Sequence, residues 1–296
     1  MRRMLIVGCG DVGLRMVRSL KGRWRIFALT RSVDRCALLR EEGVIPVMGD
    51  LDYPESLERI AGLAQDVMHL APPPSSGAAD PRTANLVRAL SKRGSLPQRL
   101  VYLSTSGVYG DCGGAMVDET RRVMPGTDRA RRRLDAERRL RSWGADSAVQ
   151  VSILRTPGIY AAERLPLARL ARGTPALVAD QDPYTNHIHA DDLARITIAA
   201  LIRGGGGRIY NASDDSVLKM GEYFDLVAEH FSLPPPPRVQ WGVALEDIPE
   251  PMLSFMRESR RLSNGRLKRE LRIRLQFPVV ENGIRAARMA AGICQP

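Results

Sequence analysis

Residues 4–13 read Met-Leu-Ile-Val-Gly-Cys-Gly-Asp-Val-Gly, and the rest of the chain can be interpreted from this stretch. It begins with a continuous apolar run that ends at Gly8, and residues 11–20 then place apolar side chains at helical spacing. A short apolar run without alternation is typical of a strand that is buried on both faces. The stretch therefore predicts a buried strand, a glycine turn and an amphipathic helix.

The glycine turn has the pattern G-x-G-x-x-G, formed by Gly8, Gly10 and Gly13. Between a strand and a helix, the first glycine permits a tight turn, the second lets a pyrophosphate approach, and the third allows close packing. The start of the helix, at Asp11 and Val12, offers free N–H groups and a positive dipole end to the phosphates. The pattern therefore predicts a dinucleotide site, with a turn that holds no ligand as the alternative.

The alternation of strand and helix continues along the chain. Strand-like runs follow at residues 25–29, 44–47, 66–70, 99–103 and 149–154. Helical stretches lie between them, at residues 34–42, 54–64, 81–91 and 127–142. This alternation predicts a Rossmann-type α/β fold, a doubly wound parallel sheet with helices on both faces.

The regular alternation ends after residue 160. Residues 161–189 contain prolines and other loop signals, whereas residues 190–213 return to a helix and a strand. We therefore assign residues 1–160 and 190–213 to a dinucleotide-binding domain. Residues 161–189 and 214–296 are predicted to form a small, mostly C-terminal cap region that supplies one wall of a cleft.

The residues after the second strand bear on which dinucleotide is bound. The strand ends in Thr30-Arg31-Ser32, Arg35 follows within the next helix, and the first acidic residue is Asp34. An NAD site places an acidic residue near this point for the ribose 2′-hydroxyl, whereas arginine suits a 2′-phosphate. The sequence therefore favours NADP, with NAD as the alternative and a solvated loop as the other interpretation of Arg31.

The composition is that of a globular protein, with 296 residues of which 44% are hydrophobic. No apolar run approaches the ~20 residues of a membrane helix, and the first one is too short for an export signal. We therefore expect a cytoplasmic protein without membrane contact. Its cysteines are scattered without pairing or ligand spacing, so we expect free thiols and no metal site; they are Cys9, Cys36, Cys112 and Cys294.

The net charge is +11, and only four of the 44 basic residues are lysine. A basic protein attracts anions in general, which favours an anionic small-molecule substrate without deciding it. Aromatic residues make up only 5% of the chain and its tryptophans do not interleave with basic residues. A stacking platform for nucleic acid is therefore poorly supported.

Further short motifs follow the predicted strand ends in order. They are Gly49-Asp50-Leu51, Leu70-Ala71-Pro72, and the runs at residues 102–110, 154–160, 187–194 and 210–215. With the glycine turn, this ordered set resembles the NAD-dependent epimerase/dehydratase family, the extended branch of the short-chain dehydrogenase/reductases. The resemblance spans most of the chain, and within the family it is greatest to an atypical bacterial subgroup, the YeeZ-like proteins.

The resemblance implies roles for residues at several of these strand ends. Thr105 occupies the place of the family's catalytic serine or threonine, and Pro157 and Ile159 would approach the nicotinamide. Further cofactor contacts would come from Asp50, Leu51, Leu70, Ala71 and Pro72, and the substrate cleft would be bordered by Asn186, His187 and His189.

The chain departs from the family at the proton-transfer pair. Alignment of Pro125, Leu134 and Glu137 with the family pattern puts Arg129 at the tyrosine position and Arg133 at the lysine position. Arg129 cannot replace a proton-transferring tyrosine, because a pKa above ~12 keeps it protonated. Arg133 can still bind a ribose or a phosphate through its donor fork.

Three explanations of this departure stay open. Another acid or base can serve, from Tyr109, Tyr160, His187 or His189. The protein can instead bind NADP without turnover, as a sensing or scaffold protein. The arginines of residues 129–141 can also hold an acidic substrate or nucleic acid, although such charge runs are usually solvated helix faces.

We therefore expect an NADP-dependent oxidoreductase or an epimerase/dehydratase-like enzyme that acts on a small polar or anionic substrate, a nucleotide sugar being one case. The candidate catalytic residues are Thr105, Tyr160 and Arg133, and Tyr109 and Arg129 join the residues of the substrate cleft. A homodimer through helices 83–93 and 127–142, which family members often use, is an open alternative, and like charges on the second helix oppose it.

Overall fold

The computed structural model describes residues 1–20, 22–248 and 250–292. The strands are β1 (Arg2–Val7), β2 (Trp24–Thr30), β3 (Ile45–Met48), β4 (Asp66–His69), β5 (Arg99–Thr105), β6 (Met116–Val117), β7 (Gln150–Thr156), β8 (Gly158–Tyr160), β9 (Ala176–Leu177), β10 (Tyr184–Thr185), β11 (His187–His189), β12 (Arg208–Asn211), β13 (Leu218–Lys219), β14 (Arg238–Val239) and β15 (Arg261–Leu262).

The helices are α1 (Asp11–Leu20), α2 (Asp34–Glu41), α3 (Pro81–Leu90), α4 (Asp128–Ser147), α5 (Leu167–Ala171), α6 (Ala190–Arg203), α7 (Met220–His230), α8 (Trp241–Asp247), α9 (Glu250–Met256), α10 (Gly265–Leu271) and α11 (Val280–Ala290). Short 3-10 helices lie at Pro54–Ile60, Lys92–Gly94, Ser106–Tyr109 and Ala162–Arg164. Within the described part of the chain, no helix combines the length and the apolar character needed to cross a bilayer.

A seven-stranded parallel sheet forms the centre of the molecule, in the order β12-β7-β5-β4-β1-β2-β3. The strand order reverses between β1 and β4, and the crevice outside such a switch point is where this class of sheet binds ligands. The apolar residues of β1 are fully buried, from Met4 at 0% exposure to Val7 at 1%. The predicted doubly wound fold is thereby confirmed.

Two apolar layers cover the two faces of the sheet. One layer includes Met16 of α1, Leu193 of α6 and Leu267 of α10, and the other includes Leu86 of α3 and Leu140 of α4. Because both faces are covered, β1 is apolar without alternation from Met4 to Val7. Leu267 lies in the predicted cap region, so part of that region packs against the sheet.

Two predicted helices differ from the structure in length. Residues 54–64 are predicted as one helix, but only Pro54–Ile60 form a 3-10 helix. The chain turns at Gly62, whose φ of +67° is outside the helical range. Conversely, α4 extends to Ser147, beyond the predicted residue 142, because Gly144 lets it pack closely on β7. A Cβ at Gly144 would lie 2.8 Å from Val151 Cγ2.

The rest of the cap has its own apolar contacts. Leu170, Phe224, Val227 and Ile284 pack together where α5, α7 and α11 meet. A smaller cluster around Leu177 joins α8 and α9 to β9. The cap is therefore held by packing between its own helices as well as against the sheet.

Residues 258–263, called here the 258–263 segment, cross from the cap to the sheet domain. Within this segment β15 pairs in parallel with β6. The carbonyl oxygen of Ser259 accepts hydrogen bonds from the N–H groups of Cys112 and Gly114, each at 3.0 Å, and the Ser263 N–H donates to Val117 at 2.9 Å. The position of this segment is therefore fixed by backbone hydrogen bonds.

The cysteines have the predicted thiol form where the structure describes them. Cys9 and Cys36 are buried free thiols, and Cys112 is a half-buried one. Cys294 lies outside the described residues.

Candidate functional site

Gly8 and Ala71 meet at the point where the strand order reverses. Gly8 follows β1 with a φ of +90°, and Ala71 follows β4. A Cβ built on Gly8 would lie 2.4 Å from the backbone nitrogen of Ala71. Only glycine fits this position, because both the backbone conformation and the space exclude a side chain.

The other two glycines of the turn differ from Gly8 in their surroundings. A Cβ on Gly10 would meet no atom within 4 Å, whereas one on Gly13 would lie 3.2 Å from Cys9 Sγ. Gly10 therefore faces open space, and Gly13 allows α1 to pack closely against the turn. Leu14 N–H donates to the Gly10 carbonyl at 2.9 Å, so the N–H groups of residues 11–13 precede the first helical bond and point outward.

A cavity of about 370 Å³ lies at this edge of the sheet. Most of the predicted cofactor residues line it, namely Gly8, Gly10, Thr30, Arg31, Arg35, Asp50, Leu51, Leu70, Ala71 and Pro72. Four further predicted residues adjoin the cavity without lining it. They are Asp11, Val12 and Gly13 at the glycine turn and Ser32 after the end of β2. The sequence motifs thus converge on one groove that runs from the glycine turn to the end of β2.

Three guanidinium groups surround this cavity. The side chain of Arg31 is 71% exposed and lies 3.7 Å from Asp50. Arg35 Nη2 donates to the Cys9 carbonyl at 2.7 Å, which holds it beside the glycine turn. Arg82 makes two hydrogen bonds to Asp52, at 2.7 and 2.6 Å. Arg82 was not among the predicted residues, because in sequence it belongs to an ordinary capped helix.

A second and larger cavity, of about 610 Å³, separates the sheet domain from the cap, and it is called the cleft below. The predicted residues that line it are Thr105, Arg129, Pro157, Ile159, Asn186 and His187. Residues that sequence reasoning missed are Arg164, Arg169, Tyr184, Phe255, Glu258 and Arg260. These residues lie in the segments without regular periodicity, so nothing in the sequence signalled that they meet.

Arg164 connects the cleft to the start of α1. It lines the cleft, and its Nη2 lies 2.9 Å from the Oδ2 of Asp11, the first residue of α1. Asp11 also pairs with Arg15 at 2.8 Å. Arg164 therefore connects the wall of the cleft to the helix that follows the glycine turn.

Thr105 lies at the end of β5 and at the wall of the cleft. Its Oγ1 accepts a hydrogen bond from the Gly107 N–H at 3.2 Å, which fixes the side chain at the start of the following 3-10 helix. The hydroxyl proton has no acceptor among the described residues, and it can donate to a group in the cleft.

His187 lines the cleft as a neutral imidazole. It is 5% exposed, and burial lowers its pKa to about 4. Its ring stacks on Tyr223 with 4.2 Å between centroids, and its Nδ1 has no hydrogen-bond partner in the described part of the structure. At neutral pH this side chain is therefore uncharged.

Asn186 also lines the cleft, but its amide group is already used. Its Nδ2 donates to the Arg260 carbonyl at 2.9 Å, and its Oδ1 accepts from the Leu262 N–H at 2.8 Å. Asn186 thus holds the 258–263 segment in place.

Tyr160 does not reach the cleft, contrary to its assignment as a candidate catalytic residue. It is 2% exposed, and a Cβ on Gly283 would lie 2.5 Å from its ring. Burial raises the pKa of its phenol well above the ordinary value, with the buried carboxyl of Asp214 adding to the effect. The residue is a packing element under α11, because the absence of a side chain at Gly283 makes room for its ring.

Tyr109 and His189 are also turned away from the cleft, contrary to their assignment to the substrate. Tyr109 is 1% exposed, and its hydroxyl donates a hydrogen bond to Asn211 Oδ1 at 2.7 Å. His189 Nδ1 accepts from the Asp191 N–H at 3.2 Å, so it caps α6, and its ring packs on Phe277. Each has a structural partner that explains its place in the sequence.

Arg129 projects into the cleft from α4. Its guanidinium lies 3.9 Å from the ring centroid of Phe255, a residue of α9 on the cap side. Burial lowers the pKa of Arg129, and Glu258 partly opposes that effect, but a guanidinium stays charged. Among the described residues Arg129 forms no ion pair, so its charge is available to a ligand.

Arg133 lies one helical turn further along α4 and is turned inward. Its Nη1 donates to the Leu103 carbonyl at 2.8 Å and to the Tyr102 hydroxyl at 3.2 Å, and it lies 3.4 Å from the Ala71 carbonyl. It lines neither cavity, but Ala71 does. Arg133 therefore holds together the ends of β4 and β5 beside the dinucleotide groove.

Comparison with solved structures identifies proteins that share the fold of this chain. A conserved protein of unknown function from Silicibacter pomeroyi is 28% identical, with a TM-score of 0.84 over 98% of this chain and 99% of that one. UDP-glucose 4-epimerase from Thermotoga maritima, solved with UDP-glucose, is 18% identical, with a TM-score of 0.77 over 98% of each chain. UDP-glucuronic acid 4-epimerase from Bacillus cereus, in complex with NAD, is 15% identical with a TM-score of 0.77 over 97% of each.

A search of curated proteins gives no match. The family model of the NAD dependent epimerase/dehydratase family matches residues 4–213, which contain the glycine turn, nearly all of the central sheet and Thr105. The resemblance inferred from the motifs is thereby confirmed, and the chain belongs to the NAD dependent epimerase/dehydratase family.

Proposed function

We propose that the protein binds NADP(H) in the groove at the glycine turn and converts a small anionic substrate in the cleft. The reaction is an oxidoreduction or an epimerase/dehydratase-like conversion. The observation that carries the proposal is the link that Arg164 makes between the two sites. Arg164 lines the cleft and pairs with Asp11 at the start of α1, so a dinucleotide lying across that helix end would extend toward the cleft.

The choice of NADP over NAD rests on the charges at the end of β2. Arg31 and Arg35 line the groove, whereas Asp34 does not. Arg31 is solvent-exposed and only loosely paired with Asp50, so it can turn toward a 2′-phosphate. A phosphate also gains two charge-assisted hydrogen bonds from a guanidinium fork, which a 2′-hydroxyl does not.

Calorimetric titration of the nucleotide-free protein with NADPH and with NADH tests this choice. For Arg31→Asp we expect the NADPH affinity to fall by about 10- to 100-fold, because a charge-assisted contact is replaced by repulsion. Arg40→Asp is the matched control, since Arg40 is an exposed residue of α2 that does not line the groove. Equal losses in the two variants would contradict a phosphate site at Arg31, and no binding of either nucleotide would overturn the proposal.

The reaction would use an active site that differs from the family's tyrosine and lysine pair. Bound NADPH supplies a hydride. Thr105 can donate a hydrogen bond to a reacting oxygen, and Arg129 can stabilise negative charge that develops there, because the partly buried cleft strengthens such interactions. His187 adds a neutral imidazole to the cleft wall, and burial disfavours its protonation. The proton that accompanies a hydride would come from solvent, with the Thr105 hydroxyl hydrogen-bonded to the reacting oxygen.

A binding protein without turnover is the second candidate. It is supported by the motif alignment, which puts Arg129 and Arg133 at the proton-transfer positions, and by the burial of Tyr160 away from the cleft. Two assays separate the two candidates: NADPH oxidation with aldehydes and 2-oxo acids, and analysis of the products formed from nucleotide sugars in the presence of NADP⁺. Turnover that Thr105→Val abolishes supports the enzyme, whereas NADPH binding without any turnover supports the sensing or scaffold protein.

The partner we propose is a small molecule rather than nucleic acid. On α4 the basic residues are only partly available, because Arg132 donates to the Gly77 carbonyl and Arg133 is turned inward. Arg131 pairs with Asp128 at 2.6 Å and Arg139 with Asp135 at 3.0 Å. This distribution lowers the positive charge that a phosphate backbone would meet. A homodimer through α3 and α4 stays a prediction.

A further inference from the structure

The arginines that line the cleft differ in whether a carboxylate accompanies them. Arg164 lies 2.9 Å from Asp11, and Arg260 lies 2.8 Å from Glu258. Arg169 is 6% exposed, and within residues 1–20, 22–248 and 250–292 it forms no ion pair. Arg169 is therefore a buried cation that lines the cleft without an anionic partner.

The contacts of Arg169 leave most of its donors unused. Its Cζ lies 4.5 Å from the ring centroid of Phe224, its Nη2 donates to the Pro175 carbonyl, and its Nη1 contacts Met252 Sδ. Nε has no acceptor in the described structure. A guanidinium has five N–H donors, and here only the Pro175 carbonyl is a strong acceptor.

A buried charge without a partner is unfavourable in a folded protein. Burial lowers the pKa of Arg169, and the nearby Arg172 adds to the effect, yet a guanidinium remains protonated. An anion in the cleft that accepts hydrogen bonds from this guanidinium would offset the unpaired charge. The ring of Phe224 and the side chain of Met252 keep water away from one side, which strengthens such a contact.

We propose that Arg169 binds a carboxylate or phosphate group of the substrate at the cap end of the cleft. The inference rests on the proposed function, since it specifies the substrate for the same cleft. Arg169 lies on α5 and Arg129 on α4, and both line the cleft. The substrate is then an acid whose charged group is held in the cap, while Phe255, Met220 and Tyr223 pack against its body.

The experiment is a calorimetric titration of the cofactor-free protein with two probes, inorganic phosphate and phenylacetate. The probes distinguish a phosphate from a carboxylate as the preferred anion. For Arg169→Met we expect affinity for the preferred probe to fall by about tenfold or more, the size of a lost charge-assisted contact. Arg169→Lys should retain part of the affinity, because the charge remains.

Arg172→Met is the matched control. Arg172 is exposed at the end of the same helix and does not line the cleft, so this variant removes one charge and leaves the site intact. Arg172→Met should bind both probes as the unchanged protein does. Equal affinity in Arg169→Met and the unchanged protein would overturn the proposal, and so would the failure of both probes to bind the unchanged protein at millimolar concentration.

Thermal unfolding provides a second readout. Loss of an arginine with only a structural role would lower the unfolding temperature. Without anions, Arg169→Met should unfold at the same or a higher temperature, because the unpaired charge is removed. A lower temperature together with unchanged probe binding would show that the Pro175 contact is the role of Arg169. NADPH titration of Arg169→Met should match the unchanged protein, so loss of the anion site and failure of the proposed cofactor are separate results.

Discussion

Arg155 and Glu137 form a two-point ion pair in the interior, between β7 and α4. Arg155 Nη2 lies 2.7 Å from Glu137 Oε2, and Nε lies 3.2 Å from Oε1. The Ser104 hydroxyl also donates to Oε1 at 2.6 Å, and the guanidinium lies 4.7 Å from the ring centroid of Tyr109. This cluster ties α4, which carries Arg129 and Arg133, to the two strands that end at the cleft.

Removal of the acid from this pair should destabilise the protein strongly. For Glu137→Ala we expect a loss of about 3 kcal/mol in the free energy of unfolding, because Arg155 would remain as a buried charge without its partner. Urea denaturation measures the loss. The control is Asp128→Ala on the same helix, whose pair with Arg131 is exposed and should contribute less than about 1 kcal/mol. Similar losses in both variants would contradict the assignment.

The two glycines at the ends of the G-C-G sequence should respond differently to alanine. Gly8→Ala places a Cβ against Ala71 at a positive φ, so we expect a fall of about 1–3 kcal/mol in stability. Gly10→Ala places its Cβ in open space and should leave the unfolding temperature unchanged. That space is where a pyrophosphate would approach, so NADPH affinity should fall in Gly10→Ala. Unchanged NADPH affinity in Gly10→Ala would show that the groove does not hold the phosphates there.

Arg133 should contribute to the free energy of unfolding even when no ligand is bound. Arg133→Met leaves the Leu103 carbonyl and the Tyr102 hydroxyl without their donor, and we expect a loss of about 1–2 kcal/mol. Arg138→Met, an exposed change on the same helix, should stay within about 0.5 kcal/mol. Chemical denaturation compares the two. Equal stabilities would show that the inward contacts of Arg133 contribute nothing.

Stability should pass through a maximum near pH 6.5. Burial lowers the pKa of His69 to about 3 and that of His187 to about 4, whereas burial raises the pKa of Asp214 to about 8. Below pH ~6.5 the unfolded chain takes up protons at both histidines that the folded protein does not, which outweighs the one proton held by folded Asp214. Stability should then fall by about 1.4 kcal/mol for each pH unit of acidification toward pH ~4.

Between pH ~6.5 and ~8 the sign reverses, because His69 and His187 have lost their protons in both states while Asp214 still differs. Its carboxyl is protonated in the folded protein and ionised in the unfolded chain, so rising pH favours unfolding by up to about 1.4 kcal/mol per unit. Asp214→Asn should abolish this fall and should steepen the loss on the acid side to about 2.7 kcal/mol per pH unit, because the histidine protons are no longer partly offset, as measured by urea denaturation across the range. A variant that still loses stability from pH ~6.5 to ~8 would contradict the buried, protonated Asp214.

The fold could be predicted from the sequence because its signals are local. The apolar run before Gly8 and the repeated alternation of strand and helix both arise within a few residues, and the sheet order follows from them. The dinucleotide groove could also be predicted, because most of its lining residues directly follow strands of one parallel sheet. Arg31 and Asp50 come together in this way.

The cleft could not be predicted in the same way, because its walls depend on contacts between distant segments. Tyr160 follows a motif strand and was therefore assigned to catalysis, but its burial depends on Gly283 in α11. Arg169 and Arg260 meet in the cleft only through the packing of α5 and the pairing of β15 with β6. No periodic pattern marks either residue, so their roles emerge from the three-dimensional arrangement alone.

In the 258–263 segment, backbone hydrogen bonds fix the position of the cleft wall, whereas the side chains set which groups that wall presents. Ser259, Arg261 and Ser263 hold the segment through main-chain groups that any residue except proline provides. The side chains of Glu258 and Arg260 face the cleft from that fixed frame. Under the proposed function, a substitution at Glu258 would therefore change the charge that a ligand meets while the main-chain hydrogen bonds of the wall stay in place.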